Sequence, residues 1–490
     1  MNDTAPFALA ILLVAATALS AVLSQRLTSW LKIPAPALFL AGAAVAVKVI
    51  PGLRPPAQQT LQQVVTVALV LVLFDGGMHL GWTRLRSNAV AVGAAGLLGT
   101  FATALAGAVV VHLAFGLSWY LALLVATAVA PTDPAVVFSV LGRREVSGPP
   151  GIILKGESGA NDPVGIALMA SLVTAGSLTS HALGHAGIDL AVQMLVGAGT
   201  GIIGGRLLVW SMRHVQLPSE GLYPLRALAG ALLLFGLATV AHGSGFLAVF
   251  VAGIVLGDER APFKREIERF HSALASLGEI AAFIVLGLGI NIANLVHTDV
   301  FIPGIVLAAT LTLVIRPVLV GLLLLPARLE AAQRRFVLFA GLKGAVPLLL
   351  GSFLITARVP GAERLDGIVA IVVVLSVTLQ GSLAPAVARA LSLPTRVVEP
   401  EPWGLGVRLK EEPEDLQRLT VVAGSPADNC AIADLKELPG DAWISLLVRN
   451  GRLLPVRGAT RLTAGDEVIV LGGPGLRQQL EAAFEKPAHA

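Results

Sequence analysis

Cysteine occurs once in 490 residues, as Cys430. A single thiol forms no disulfide framework and no thiolate metal site, and Cys430 reads as an ordinary buried or half-buried residue. Charge is also scarce. Lys, Arg, Asp and Glu make up 13% of the chain, hydrophobic residues 55%, and mean hydropathy is +0.80. A soluble chain of this length needs far more polar surface. Tyrosine occurs twice, as Tyr120 and Tyr223, neither followed by Asp, and Leu256-Gly257-Asp258 falls at a loop. An intramembrane aspartyl protease needs a Tyr-Asp pair and a Gly-X-Gly-Asp motif in neighbouring spans, so that class is set aside. Nothing resembles a carbonyl-lined filter, which argues against a ligand-gated potassium channel.

The basic balance does not point to nucleic acid. Net charge is +4 and the pI about 9.4, but Lys and Arg sit in short connections between apolar runs, as in cytoplasmic loops. The N-terminal apolar run at 7–24 lacks a basic n-region, and Ser24-Gln25-Arg26 is a poor cleavage site, so it reads as a first span rather than a signal peptide. The 52 glycines suit helices that approach closely within a bilayer.

Apolar runs near the ~20 residues that a bilayer requires give about thirteen spans, at 7–24, 34–52, 62–80, 89–113, 118–141, 151–175, 187–212, 224–241, 244–257, 272–291, 300–325, 335–356 and 367–388. Alternate loops carry Arg26 and Lys32, Arg84 and Arg86, Arg143 and Arg144, Arg213, Lys264 with Arg265 and Arg269, then Arg334 and Arg335. The other loops hold little beyond Arg54 and the Arg358/Arg364 pair. This asymmetry puts the N-terminus outside and the C-terminus in the cytoplasm of an inner-membrane protein. The expected fold is an all-α polytopic membrane protein with inverted repeats and discontinuous crossing helices, followed by a small cytoplasmic α+β domain. The membrane part covers 1–392, a Pro- and charge-rich linker 393–415, and the soluble domain 416–490. In that domain strands are expected at 418–422, 443–449, 452–456 and 468–471, with a hairpin at Asn450-Gly451 and a helix at 475–484.

Two apolar spans hold carboxylates. A charge at the bilayer centre costs about 2.5–3.5 kcal/mol even on the mildest scale, so such residues mark ion or proton traffic. In Ala130-Pro131-Thr132-Asp133-Pro134, the two prolines break the helix and free carbonyls beside Thr132 and Asp133; the plainer reading is a kink with Asp133 as a cap. In the next span Glu157 shares a helix face with Asn161, and Ser158 shares one with Asp162. Asp162 can hold a dehydrated monovalent cation or a proton, not both, and so can exchange them in turn. Arg316, before Pro317, keeps its proton and is the natural permanent partner for Glu157. Lys343 lies in Gly341-Leu342-Lys343-Gly344-Ala345-Val346-Pro347, an interruption that answers the one at Pro131/Pro134. Asp75 and Glu279 are auxiliary: Asp75 faces water or caps a neighbour, and Glu279 serves packing or the ion path. The nine histidines lack metal-ligand spacing, and the only metal implied is a transported cation. His242 and Ser244 have no assigned role.

Thr132-Asp133-Pro134, Glu157 with Asn161-Asp162, Gly245-Phe246-Leu247-Ala248 with Gly253, and Gly341-Leu342-Lys343-Gly344 together resemble the NhaP-type branch of the cation–proton antiporters. The wording of 156–163 is most similar to the bacterial potassium/proton antiporters of the cell-volume-regulation group. The resemblance spans the membrane part. It implies a homodimer, an elevator-like cycle, and electroneutral one-for-one exchange of K⁺ or Na⁺ for H⁺, with sodium/proton exchange as the alternative. It also implies Asp162 as the ion- and proton-binding carboxylate, Thr132, Asp133 and Ser158 lining or shaping the site, and Glu157–Arg316 as a stabilising ion pair. Many relatives carry Arg where this chain has Lys343, which leaves permanent counter-charge and titrating group both open there. Leu435 to Pro439, Ile444 to Pro455 and Leu462 to Glu467 resemble a TrkA-C (RCK-C) domain. That implies regulation, dimerisation and a nucleotide-type ligand, although no Gly-rich phosphate loop is present and Gly472-Gly473-Pro474-Gly475 reads as a turn. No other cofactor is expected.

Overall fold

A computed structural model describes residues 19, 33–50, 53–141, 144–146, 148–259, 261–397, 416–435, 438–439, 442–449, 452–472 and 476–485. Apart from Leu19, the expected span at 7–24 lies outside the described residues, as do the Asn450-Gly451 turn and Gly473-Pro474-Gly475. The chain divides into two units, Met1–Pro400 and Glu401–Ala490.

The first unit is a helical bundle. Its helices are α1 (Ala35–Val49), α2 (Gln58–Ser87), α3 (Ala89–Phe115), α4 (Trp119–Ala128), α5 (Ala135–Leu141), α6 (Pro149–Ala175), α7 (Ser180–His214) and α8 (Leu222–Val240). They continue as α9 (Gly245–Gly257), α10 (Lys264–Gly289), α11 (Thr298–Leu323), α12 (Ala331–Phe339), α13 (Ala345–Thr356) and α14 (Ala362–Ala390). Seven of these, α2, α3, α7, α8, α10, α11 and α14, are long and apolar enough to cross a membrane. A helix closes its own backbone hydrogen bonds, which is what lets an apolar run cross lipid.

Local chemistry sets the ends. Ser118 Oγ caps the Leu121 N–H at 3.4 Å, Thr179 Oγ1 caps Ala182 at 3.3 Å, and Ser244 Oγ caps Leu247 at 3.2 Å. The cap at Thr179 starts α7 seven residues before its apolar run, so the helix is 35 residues long. The pair expected at 224–257 is two helices, α8 and α9, turned by His242 at φ 58°. Ser244, which sequence gave no role, caps α9.

Glycines bring α9 against its neighbours. A Cβ at Gly253 would strike Phe74 O and Gly77 of α2, and one at Gly197, Gly201 or Gly205 of α7 would strike Ser244, Ala248 or Ala252. Spaced by four, they let backbones touch where lipid offers no hydrophobic drive to associate. The π-helical stretches at Gly93–Leu98, Leu311–Val320 and Ser376–Gln380 were not foreseen. The second contains Pro317, whose missing N–H breaks the ordinary helical ladder.

The fifth and twelfth expected spans are each interrupted. α4 ends at Ala128 and α5 begins at Ala135; α12 ends at Phe339 and α13 begins at Ala345. A short antiparallel ladder, β1 (Arg144–Val146) with β2 (Thr395–Val397), ties the segment after α5 to the segment after α14, so the first residues of the Pro-rich stretch form a strand.

The second unit holds β3 (Leu416–Thr420), β4 (Trp443–Arg449), β5 (Arg452–Leu454), β6 (Glu467–Leu471) and helix α15 (Arg477–Phe484). Its sheet is antiparallel in the order β3-β6-β4-β5. Leu419, Ile444, Leu447, Val468 and Val470 pack against Leu480, Ala483 and Phe484. Asp466 is wholly buried. It accepts from Arg449 Nε at 2.7 Å and Nη2 at 2.8 Å, and from the Thr463 N–H at 2.8 Å.

Burial pushes the Asp466 carboxyl up, and the Arg449 and Thr463 hydrogen bonds outweigh that push and hold it below the ordinary carboxylate range. A carboxyl lowered on folding stabilises above its unfolded pKa of about 3.9, and the contribution is lost as pH falls through the folded value. Asp466→Asn is expected to cost the isolated 401–490 unit about 2–3 kcal/mol at neutral pH. It should also flatten the acid limb of stability, read by circular dichroism during urea titration across pH.

Candidate functional site

The two interruptions cross. The Asp133 N–H donates to Leu342 O at 2.7 Å, and Lys343 Nζ donates to Ala130 O at 3.0 Å. Each broken segment therefore satisfies backbone that the other leaves free. Asp133 Oδ1 accepts from the Ala135 N–H at 2.9 Å, and its carboxylate also takes the Ala345 N–H, so one side chain caps both α5 and α13. Gly344 permits this, because a Cβ there would occupy the place of the Asp133 carboxylate. The Lys343 N–H donates to Ser376 Oγ at 2.9 Å, Ser376 Oγ donates to Gln380 Oε1 at 3.0 Å, and the Gln380 amide donates to Phe339 O. Ser376 and Gln380 sit in the π stretch of α14 and hold the second interruption in place. Sequence reading passed over them, though a glutamine within an apolar run was a usable signal.

α6 runs beside the crossing. Gly165 packs on Pro131, and Gly159 packs against the Phe250 ring. Glu157 and Asn161 are each 1% exposed and Asp162 6%, so their polar atoms need partners within the protein. Arg316 Nη1 and Nη2 reach Glu157 Oε1 and Oε2 at 2.7 and 3.0 Å. Its Nε donates to Leu338 O at 2.8 Å and Nη2 to Val337 O at 3.0 Å. The guanidinium thus chelates a carboxylate and meets open carbonyls at the end of α12, where a cation is favoured. Gly341 leaves it that space.

From this pair the hydrogen bonds run in one direction. An ionised Glu157 can only accept, so the Thr132 hydroxyl donates to Glu157 Oε1 at 3.2 Å. The Thr132 oxygen then accepts from Asn161 Nδ2 at 2.7 Å. With its NH₂ committed, Asn161 presents Oδ1, which is buried and unpartnered. On the next residue Asp162 Oδ2 accepts weakly from Ser158 Oγ at 3.4 Å, and Oδ1 is unpartnered. Two bare, buried oxygens on consecutive residues are an arrangement that a small cation or a proton completes.

The structure thus gathers Thr132, Asp133, Glu157, Ser158, Asn161, Asp162, Arg316 and Lys343 at the crossing. Glu279 lies on α10 within electrostatic range of Asp133. Asp75 is elsewhere, on the α2–α10 contact, where it accepts from Ser272 Oγ at 2.9 Å and lies 3.3 Å from His79 Nδ1. Among the described residues no three His, Cys, Asp or Glu side chains gather to hold a metal ion.

Residues 12–390 match the family described as sodium/hydrogen exchanger, transmembrane, and residues 416–485 match the TrkA-C domain. The chain belongs to the sodium/hydrogen exchanger family, a family of membrane transporters and not of enzymes. It is 32% identical to the "K(+)/H(+) antiporter NhaP2" of Shewanella oneidensis, over 96% of this chain and 82% of that protein. It is 30% identical to the "K(+)/H(+) antiporter NhaP" of Alkalimonas amylolytica (83% and 71%), and 27% identical to the "Na(+)/H(+) antiporter NhaH" of Halobacillus aidingensis (73% and 91%). The structure of the sodium proton antiporter MjNhaP1 from Methanocaldococcus jannaschii at pH 8 shares the fold, with a TM-score of 0.66 and 21% identity over 79% of this chain and 99% of that one.

Thr132 is the hinge of the hydrogen-bond chain. Thr132→Ser keeps the hydroxyl and is expected to retain exchange. Thr132→Val removes both bonds, frees the Asn161 amide to turn, and should lower cation-dependent proton flux at least about 10-fold, or about 1.4 kcal/mol. Paired flux and thermal-stability measurements on the two variants check this.

Proposed function

We propose that this chain exchanges a monovalent cation, K⁺ first, for H⁺ across the inner membrane by alternating access, one for one and without net charge movement. The observation that carries the reading is the pair of unpartnered oxygens, Asn161 Oδ1 and Asp162 Oδ1. Glu157 is closed off by Arg316, which leaves Asp162 as the carboxylate free to trade ions. Loaded with K⁺ or with a proton, it carries the same charge. Asn161 and Thr132 add neutral oxygens, and Ser158 orients the carboxylate.

K⁺ is placed first because the Shewanella and Alkalimonas relatives are named for K⁺, and Na⁺ exchange is the second reading because the Halobacillus relative is named for Na⁺. Alternating loop charge supports an outer N-terminus and a cytoplasmic 416–490 domain. On this reading that domain sets the exchange rate, with a nucleotide-type molecule as its ligand, and the transporter works as a homodimer in cell-volume regulation.

The experiment is proton flux in proteoliposomes with a preset pH gradient and K⁺, Na⁺, Li⁺ or choline outside, at clamped voltage. The expected result is a cation-dependent, voltage-independent collapse of the gradient that vanishes in Asp162→Asn. Exchange surviving in that variant would move the site elsewhere. Removing 401–490 should change the rate or shift its pH profile, and an unchanged profile would end the regulatory assignment.

A further inference from the structure

A cavity of about 140 Å³ lies where the first turn of α2, the end of α10 and the first turns of α14 converge, remote in sequence from the Asp162 cluster. Among the described residues, Gln58, Asn291, Asn294, Glu363 and Asp366 supply its polar wall, with no Lys, Arg or His. The nearest arginine in sequence, Arg364, is turned to Asp299, 3.3 Å away. The buried Gln58 Oε1 has no hydrogen-bond partner. Asn294 Nδ2 donates to Glu363 O at 2.7 Å, which leaves its carbonyl oxygen uncommitted by that bond. The wall thus offers hard oxygen acceptors of the kind that bind alkali cations.

Asp366 links this wall to the interior. Its carboxylate fills the place a Cβ would take at Gly351, so it reaches from α14 onto α13. Beside it Gln62 Nε2 donates to Thr356 Oγ1 at 2.8 Å and Ser352 Oγ at 3.2 Å, a polar seam along α13. Six residues separate Gly351 from Ala345, the helix start capped by Asp133, about 9 Å at helical rise. α10 offers a parallel route, from Gly289 in the cavity wall to Glu279 near Asp133, about 15 Å by the same measure.

We infer that this cavity is a cation-recruiting mouth at the outer end of the exchanger, with Asp366 as its principal charge and a partly hydrated monovalent cation as its ligand. The assignment to the outer side rests on the orientation proposed above. A cleft of one sign set in low-dielectric walls concentrates counter-ions and speeds their arrival. Asp366 acts on the ion before Asp162 does and is not itself the exchange site.

The lone Cys430 makes a direct test possible. In a Cys430→Ala background, Leu295→Cys or, should that fold poorly, Ile290→Cys places one thiol in the cavity wall. Externally added cationic and anionic thiosulfonates of equal size are compared, each rate divided by that for a free thiol in solution. The expected cation preference is about 5-fold or more, falling several-fold with Asp366→Asn and restored with Asp366→Glu. In transport, Asp366→Asn should raise the KM for outside cation about 3- to 10-fold, more than it changes kcat. A charge-blind thiol, a preference indifferent to Asp366, or reactivity only from the cytoplasmic side would overturn the inference. Labelling does not depend on exchange, so a wild type that moves no protons would sink the antiporter reading and leave the labelling ratio to decide the mouth.

Discussion

The hydrogen-bond chain through Thr132 to Asn161 takes its direction from the bidentate contact between Arg316 and Glu157. A guanidinium has donors only, and a carboxylate facing it has acceptors only, so no hydrogen bond downstream is free to reverse. Thr132 must donate toward Glu157 and accept from Asn161, and Asn161 is then left with its carbonyl oxygen free. A buried pair of this kind is weak evidence for stability, since taking two charges out of water costs several kcal/mol per ion. Its value here is the fixed orientation of an amide that would otherwise have two equivalent settings.

The crossing obeys the same economy. Four half-helix ends meet there, and each faces a complementary group. The open carbonyls near the ends of α4 and α12 face Lys343 and Arg316, and the first N–H groups of α5 and α13 face the single Asp133 carboxylate. Non-helical backbone survives at membrane depth only where something other than lipid satisfies it. Gly341 and Gly344 are the steric condition for that, since a side chain at either would displace the charged group it accommodates.

Much of this was legible in the sequence, because both constraints involved are local and severe. Carboxylates within apolar runs and prolines three apart are costly in a bilayer, so Asp133, Asp162 and the two breaks stand out. The Glu157–Arg316 partnership followed from charge alone. Less was legible where structure depends on packing between distant segments. Nothing in the composition separates a π stretch from an ordinary helix, so the registers of α3, α11 and α14 stayed hidden, and Ser376 and Gln380 with them. Helix ends moved where caps overrode hydropathy, as at Thr179. Asp366 was passed over because it lies one residue before the expected span and reads there as a loop acid. In the soluble unit β4 spans the expected 443–449, while β3 begins two residues earlier than expected.

The pairing at the crossing has a consequence for coupling. Two helix starts and two helix ends contribute opposite half-charges that cancel, Arg316 cancels Glu157, and the Lys343 ammonium and the Asp133 carboxylate add one charge of each sign. Among the groups of the crossing and α6, what remains is Asp162. On the proposed reading, in which Asp162 holds a cation or a proton, the occupied assembly is neutral and a membrane voltage has no purchase on it. Empty, it carries one bare negative charge, which low-dielectric surroundings penalise and a potential pushes at about 2.3 kcal/mol per 100 mV. On that reading the vacant carrier is the state least able to cross, and a transporter that returns only when laden keeps its two ions coupled.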